Sequence, residues 1–191
     1  MLRIVLALAQ CMIFSFQAAA SEKNTVPDTM ASPKLMILIE ETYLGRESAD
    51  MNIAAIELSQ RLLSHGFTLV DKTQMEAVQI RESDRQAIRG NLDAVANFGL
   101  RFGCHYVIIG KAAAKDEGEV YEGSGLRSIH ANLELRLIQT ETAIVLGSVV
   151  KSGVAAHINR STGVTNALQD ASRKAVEEYL YDKITGSFDA F

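Results

Sequence analysis

Hydrophobic and polar positions change period several times along this chain, and each change marks an expected element. Leu35-Met36-Ile37-Leu38-Ile39 is an uninterrupted apolar run, the pattern of a strand buried on both faces, and the polar stretch Glu40 to Asp50 reads as the loop after it. From Met51 the period becomes helical: Met51, Ala54, Ala55, Leu58 and Leu62 share a face, with Asp50 or Ser48 as the cap and Gly66 as the stop. Phe67-Thr68-Leu69-Val70 is a short second strand, which makes a right-handed βαβ crossover and a parallel pair. Asp71 caps a further helix expected over Thr73 to Arg85, with Met75 and Val78 inward. Asn91 starts another, in which Leu92, Val95, Ala96, Gly99 and Phe102 form a stripe whose small members let the helix approach the sheet closely.

The second half is strand-rich. Tyr106 to Ile109, four large residues between Gly103 and Gly110, reads as the central strand, and Ala112 to Leu126 as a mobile loop. Ser128 to Ile138 alternates cleanly, with Ile129, Ala131, Leu133, Leu135 and Leu137 on one side and His130, Asn132, Glu134 and Arg136 on the other. After the polar turn Gln139-Thr140-Glu141-Thr142, Ala143 to Ala156 returns as an antiparallel partner. Ser161 or Thr162 opens a last helix carrying Val164, Leu168, Ala171, Ala175 and Tyr179 at helical spacing. The expected fold is a single α/β domain of order β-α-β-α-α-β-β-β-α. Its mixed sheet carries a C-terminal antiparallel hairpin, and helices pack on it.

The N-terminus obeys a different rule. Arg3, an apolar stretch from Ile4 to Phe16 and Ala18-Ala19-Ala20 before Ser21 have the form of a secretory signal peptide cleaved after Ala20. Leu8-Ala9-Gln10-Cys11 offers a competing lipobox, but Gln10 stands where a small residue belongs and the apolar run continues past Cys11. The expected organisation is signal peptide over 1–20, flexible leader over 21–34 with both prolines, domain over 35–185 and frayed tail over 186–191. No later run reaches the length of a membrane-spanning helix, so an exported chain without a transmembrane segment is expected.

Composition narrows the function further. With 191 residues, 48% hydrophobic and 22% charged, the chain is long enough to fill a core without staples. Removing 1–20 takes away Arg3 and no acid, moving the formal net charge from −4 to −5, a balance that opposes nucleic-acid binding. Cys104 is then a lone thiol at the mouth of an apolar strand, with no cysteine to pair with.

Chemistry is sparse. His65, His105, His130 and His157 fall in separate elements without a metal-ligand spacing. Glu40 and Glu41 follow a strand but point to opposite sides, a poor acid/base pair. Gly123-Ser124-Gly125 is too short for a nucleophile elbow, and neither a G-x-G-x-x-G nor a Walker A sequence occurs. No catalytic residue, metal or cofactor is therefore expected. The polar row His130, Asn132, Glu134, Arg136 is different: on one strand these side chains project from one face, about 7 Å apart, and offer a partner-docking strip. The hairpin's outer strand offers edge pairing to a second subunit.

Three phrases resemble a known group. Ser64-His65-Gly66-Phe67-Thr68-Leu69-Val70-Asp71, then Phe102-Gly103-Cys104-His105-Tyr106-Val107-Ile108-Ile109-Gly110-Lys111-Ala112, then Ala131-Asn132-Leu133-Glu134-Leu135-Arg136-Leu137-Ile138 with Thr140-Glu141-Thr142, are similar to bacterial envelope proteins. These include the TolB amino-terminal domain, the curli secretion lipoprotein, the penicillin-binding-protein activator lipoprotein and the middle domain of the flagellar H-ring protein. Where such sequences often carry Thr-Gly in the hairpin turn, this chain has Thr142-Ala143. The resemblance covers Leu35 to Ile184 and implies a non-enzymatic periplasmic assembly factor of the cell envelope, accessory to a secretion, flagellar or cell-wall machine and bound to envelope proteins. The alternatives are a small-ligand module using the loops Glu40 to Asp50 and Asp71 to Thr73, and, third, a hydrolase.

Overall fold

The structure, a computed structural model, describes residues 32–44, 46–47, 52–70 and 91–188. The signal peptide, most of the leader, the caps Ser48 and Asp50 and the helix expected over Thr73 to Arg85 lie outside them. Chain order is β1 (Lys34–Tyr43), β2 (Arg46–Glu47), α1 (Ile53–Ser64), β3 (Thr68–Leu69), α2 (Leu92–Arg101), β4 (Tyr106–Glu119), β5 (Arg127–Gln139) and β6 (Val145–His157). Then follow α3 (Arg160–Ala175), one π turn over Val176–Leu180, and α4 (Tyr181–Phe188).

One sheet runs β2-β1-β4-β5-β6, with β3 also on β1. β1 pairs parallel with β3 and β4, and β4-β5 and β5-β6 are antiparallel, so the crossover half and the hairpin half meet at β4 as expected. The start of β4 is buried on both faces. Tyr106 and Ile108 join a large core with Leu35, Leu58, Leu133, Leu135 and Leu168 under α1 and α3. Val107 turns the other way, to Met36, Val95, Phe98 and Ile138 under α2. Gly99 brings α2 down as its stripe implied: a Cβ there would stand 2.5 Å from side-chain carbons of Val107 and Thr140.

Several expectations need correction. β1 does not stop at Ile39; its ladder with β4 continues through Glu40↔Lys111 to Tyr43↔Ala114, so the polar loop begins later. Ala112 to Glu119 is strand, paired with β5 out to Arg127, and the connection shrinks to residues 120–126. Ala112 and Ala114 are buried there while Lys111, Ala113 and Lys115 are exposed. The period is two, but alanine and glycine are weak strand formers, and long neighbours on both sides hold this segment extended. Asn159, rather than Ser161 or Thr162, caps α3 by accepting from the Thr162 N–H at 3.2 Å. β6 begins at Val145 because Ala143 sits at φ +55 in the turn, the left-handed conformation that glycine adopts more readily.

The start of α1 is capped from the sheet. Asn52 makes no side-chain cap, and the buried Glu41 takes its place: Glu41 Oε1 accepts from the Ala55 N–H at 2.9 Å and Oε2 accepts from the Tyr43 hydroxyl. Tyr43 Oη in turn accepts from the Ile53 N–H at 3.3 Å. Burial pushes the Glu41 carboxyl above its ordinary 4.5, outweighing the helix N–H groups that favour the anion. At the other side of the core, α3 lies directly on β6 at Gly153. A Cβ on Gly153 would collide with the Ala167 carbonyl oxygen and reach the Ala171 amide nitrogen at 2.8 Å, both backbone atoms.

Three outcomes follow, each read by equilibrium denaturation. Gly153→Ala lowers stability by about 1–3 kcal/mol, because backbone cannot step aside. Ala143→Gly raises it by about 1 kcal/mol by relieving the left-handed turn. Glu41→Ala costs about 1–3 kcal/mol through orphaned N–H groups. Since the folded pKa of Glu41 is raised, its protonated form is the one folding favours. Wild type therefore loses stability relative to Glu41→Gln as pH rises from below 4.5 through the raised value, and a pH-independent gap contradicts this assignment.

Candidate functional site

Strand parity divides the sheet into a filled face and an open one. Ile129, Ala131, Leu133, Leu135 and Leu137 of β5 are all buried beneath the helices, while His130, Asn132, Glu134 and Arg136 are all exposed on the opposite side. These four side chains therefore form one exposed row. β4 places Lys111 beside Glu134, Ala113 beside Asn132 and Lys115 beside His130; β6 places Val150, Ser152 and Val154 beside the same three residues. Glu40 of β1 stands beside Lys111, so one row across four strands reads Glu40, Lys111, Glu134, Val150.

Charge alternates across that row, and its far side is apolar. Among the described residues no ion pair joins Lys111, Glu134 or Arg136, leaving their charges to solvent. Val150 and Val154 are 65% and 55% exposed, large values for β-branched residues on a sheet. The strip's own polar contact is a hydrogen bond from Ser152 Oγ to Asn132 Oδ1 at 2.8 Å. α2 covers the end of this face at Ile138 and Val107, so Arg136 stands at the boundary between covered and open sheet. Neither Lys111, on β4, nor Val150 and Val154, on β6, belonged to the row seen in the sequence, because that row followed one strand; the missing signal was the β4 pairing register.

The other chemically capable groups are dispersed or satisfied. His65 stacks on Tyr181 with ring centroids 4.6 Å apart; His105 Nδ1 accepts from the Lys34 N–H at 3.0 Å; His157 Nδ1 accepts from the Asn159 N–H at 2.9 Å. Glu40 and Glu41 take opposite faces, and Glu41 is committed to α1. Cys104 is buried in the small core, where burial pushes its thiol up to about 11, away from the nucleophilic thiolate. Ser124 turns the β4–β5 connection, its Oγ accepting from the Leu126 N–H at 3.1 Å.

An open depression lined by Leu44, Lys115, Asp116, Arg127 and Arg160 lies at the end of the β4–β5 hairpin. Its charges are spent internally. Asp116 Oδ2 meets Arg127 Nε at 2.6 Å and Arg160 Nε at 2.8 Å, and Oδ1 accepts from the Gly118 N–H at the β4 bulge. The hydrogen bond from Arg127 holds the Asp116 carboxyl below the usual range. This cluster ties the hairpin to the start of α3. Of the loops expected to border a small ligand, Glu40 to Tyr43 is strand and Asp71 to Thr73 lies outside the described residues.

No family model and no curated protein matches the chain. Solved structures do. The hypothetical protein CT253 from Chlamydia trachomatis superposes with a TM-score of 0.51 at 11% identity, over 84% of this chain and 100% of that one. Lipoprotein GNA1162 from Neisseria meningitidis gives a TM-score of 0.49 at 12% identity, over 77% of this chain and 99% of its own. The LpoB C-terminal domain from Salmonella enterica gives 0.40 at 16% identity, over 66% and 85%. The fold of this chain is the fold of CT253, an α/β domain matched along the whole of that protein.

Proposed function

We propose that this chain is an exported, non-enzymatic protein-interaction module of the bacterial cell envelope, and that its open sheet face is where an envelope protein docks. The observation that carries the reading is the division of the sheet. One face is packed with Leu133, Leu135 and Leu168; the other presents Lys111, Glu134, Arg136 and the exposed Val150 and Val154 with no ion pair among the charges. Docking surfaces of transient complexes combine such features, an apolar patch with unspent charges that set orientation and on-rate. The signal-peptide pattern over 1–20 supports export, and among the described residues no helix is long and apolar enough to cross a membrane.

The non-enzymatic part rests on where the reactive side chains lie. Glu41 caps a helix, Asp116 is held by two guanidinium groups and the Cys104 thiol is raised, so each is occupied in holding the fold. A photo-crosslinking residue placed at Asn132 in the cell is expected to capture an envelope protein. The same residue at exposed Gln60 on α1 does not capture it. Glu134→Lys with Arg136→Glu lowers that capture at least tenfold while the fold is kept. Capture that is equal from both positions, or indifferent to the charge reversal, counts against the open face as the docking site.

A further inference from the structure

We propose that the outer edge of β6 pairs antiparallel with β6 of a second copy of this chain, with Ser152 centred on the partner's Ser152. This stands apart from whatever protein the open face binds. β6 spans thirteen residues and ends the sheet; among the described residues no strand pairs with its outer side. A row of unpaired backbone groups of that length is a template for another strand. Natural edges are blunted by charge or proline, yet β6 has no proline. Its one lysine, Lys151, turns toward the helices and is held by Glu178.

The direction of the edge groups can be read from two contacts. Ser152 O accepts from Lys174 Nζ of α3 at 3.1 Å, so this carbonyl points away from β5. Ser152 also bonds side chain to side chain with Asn132, its partner on β5, as suits a closely spaced pair that exchanges no backbone bonds. The outward groups are therefore those of Ser148, Val150, Ser152, Val154 and Ala156. Antiparallel pairing about Ser152 sets each of them opposite another outward group, Val150 against the partner's Val154 and Ser148 against the partner's Ala156.

Side chains favour the same register. It sets both exposed valines against valines, on the face they share, and it keeps Lys151 away from the partner's Lys151. Shifting the centre to 151 opposes two lysines, and shifting it to 154 brings Lys151 against the partner's His157. Lys174 is the guard on this edge. It covers the Ser152 carbonyl in the single copy and has Asp170 at 2.6 Å to return to when pairing displaces it.

Sedimentation equilibrium of the purified chain, with Cys11→Ser, tests the proposal. A reversible dimer is expected; Val150→Lys weakens it at least tenfold with an unchanged circular dichroism spectrum, and Lys174→Ala tightens it several-fold. Ser152→Cys then closes a covalent dimer under mild oxidation, since paired residues of this kind have Cα atoms about 5.5 Å apart, within disulfide reach. Ser148→Cys alone does not, but combined with Ala156→Cys it does. Cys104, buried and with its thiol raised, does not compete. A monomer up to on the order of 100 μM, weaker than the usual micromolar range of transient pairs, overturns the proposal. So does a dimer that Val150→Lys leaves intact or that Ser152→Cys fails to close.

Discussion

A mismatch of lengths governs this molecule. β4 has fourteen residues and reaches about 45 Å, whereas α2, laid on its outer face, has ten residues and reaches about 15 Å. On the inner face α3 and its continuation through the π turn and α4 run on for much longer, so that face is filled from Leu35 to Ile184. α2 can close only the end of the outer face near Met36, Val107 and Ile138. Beyond it β4, β5 and β6 project in front of no described helix, and the outward residues there, from Lys111 to Val154, are exposed.

The side chains follow from that constraint. Where α2 lies, outward positions are Val107, Ile138 and Met36; where it stops, they become Lys111, Glu134, Asn132 and His130. The transition falls within one strand and without a change of period, since a strand keeps its alternation whether or not its second face is covered. The inner face shows no such break, and its tightest points are set by glycine, as where α3 meets β6 at Gly153. Two carboxylates tie elements together at their ends: the buried Glu41 serves the first turn of α1, and the half-buried Asp116 joins the hairpin to the start of α3.

Much of this was legible in the order of residues. Alternation over Ser128 to Ile138 marked both faces of β5, the glycine and alanine stripe marked α2, and the apolar run from Tyr106 marked the central strand. What escaped was the length of β1 and β4, because Glu40, Glu41 and the Ala-Lys-Gly stretch after Lys111 have loop-like composition. Pairing with neighbours, a non-local fact, keeps them extended. The cap of α1 escaped for the same reason: Glu41 is fourteen residues from Ala55, and nothing local joins them. The polar row was visible on β5, but Lys111 and the two valines joined it through register alone.

Among the described residues, the helices fill one sheet face and leave most of the other open. Methyl NMR with a soluble paramagnetic cosolute measures this residue by residue. An open face requires strong relaxation of the Val150, Val154 and Ala113 methyls beside near-complete protection of Leu133, Leu135 and Leu137. Equal protection of both sets in the isolated chain would contradict the claim, because the chain would then be covering its own outer face.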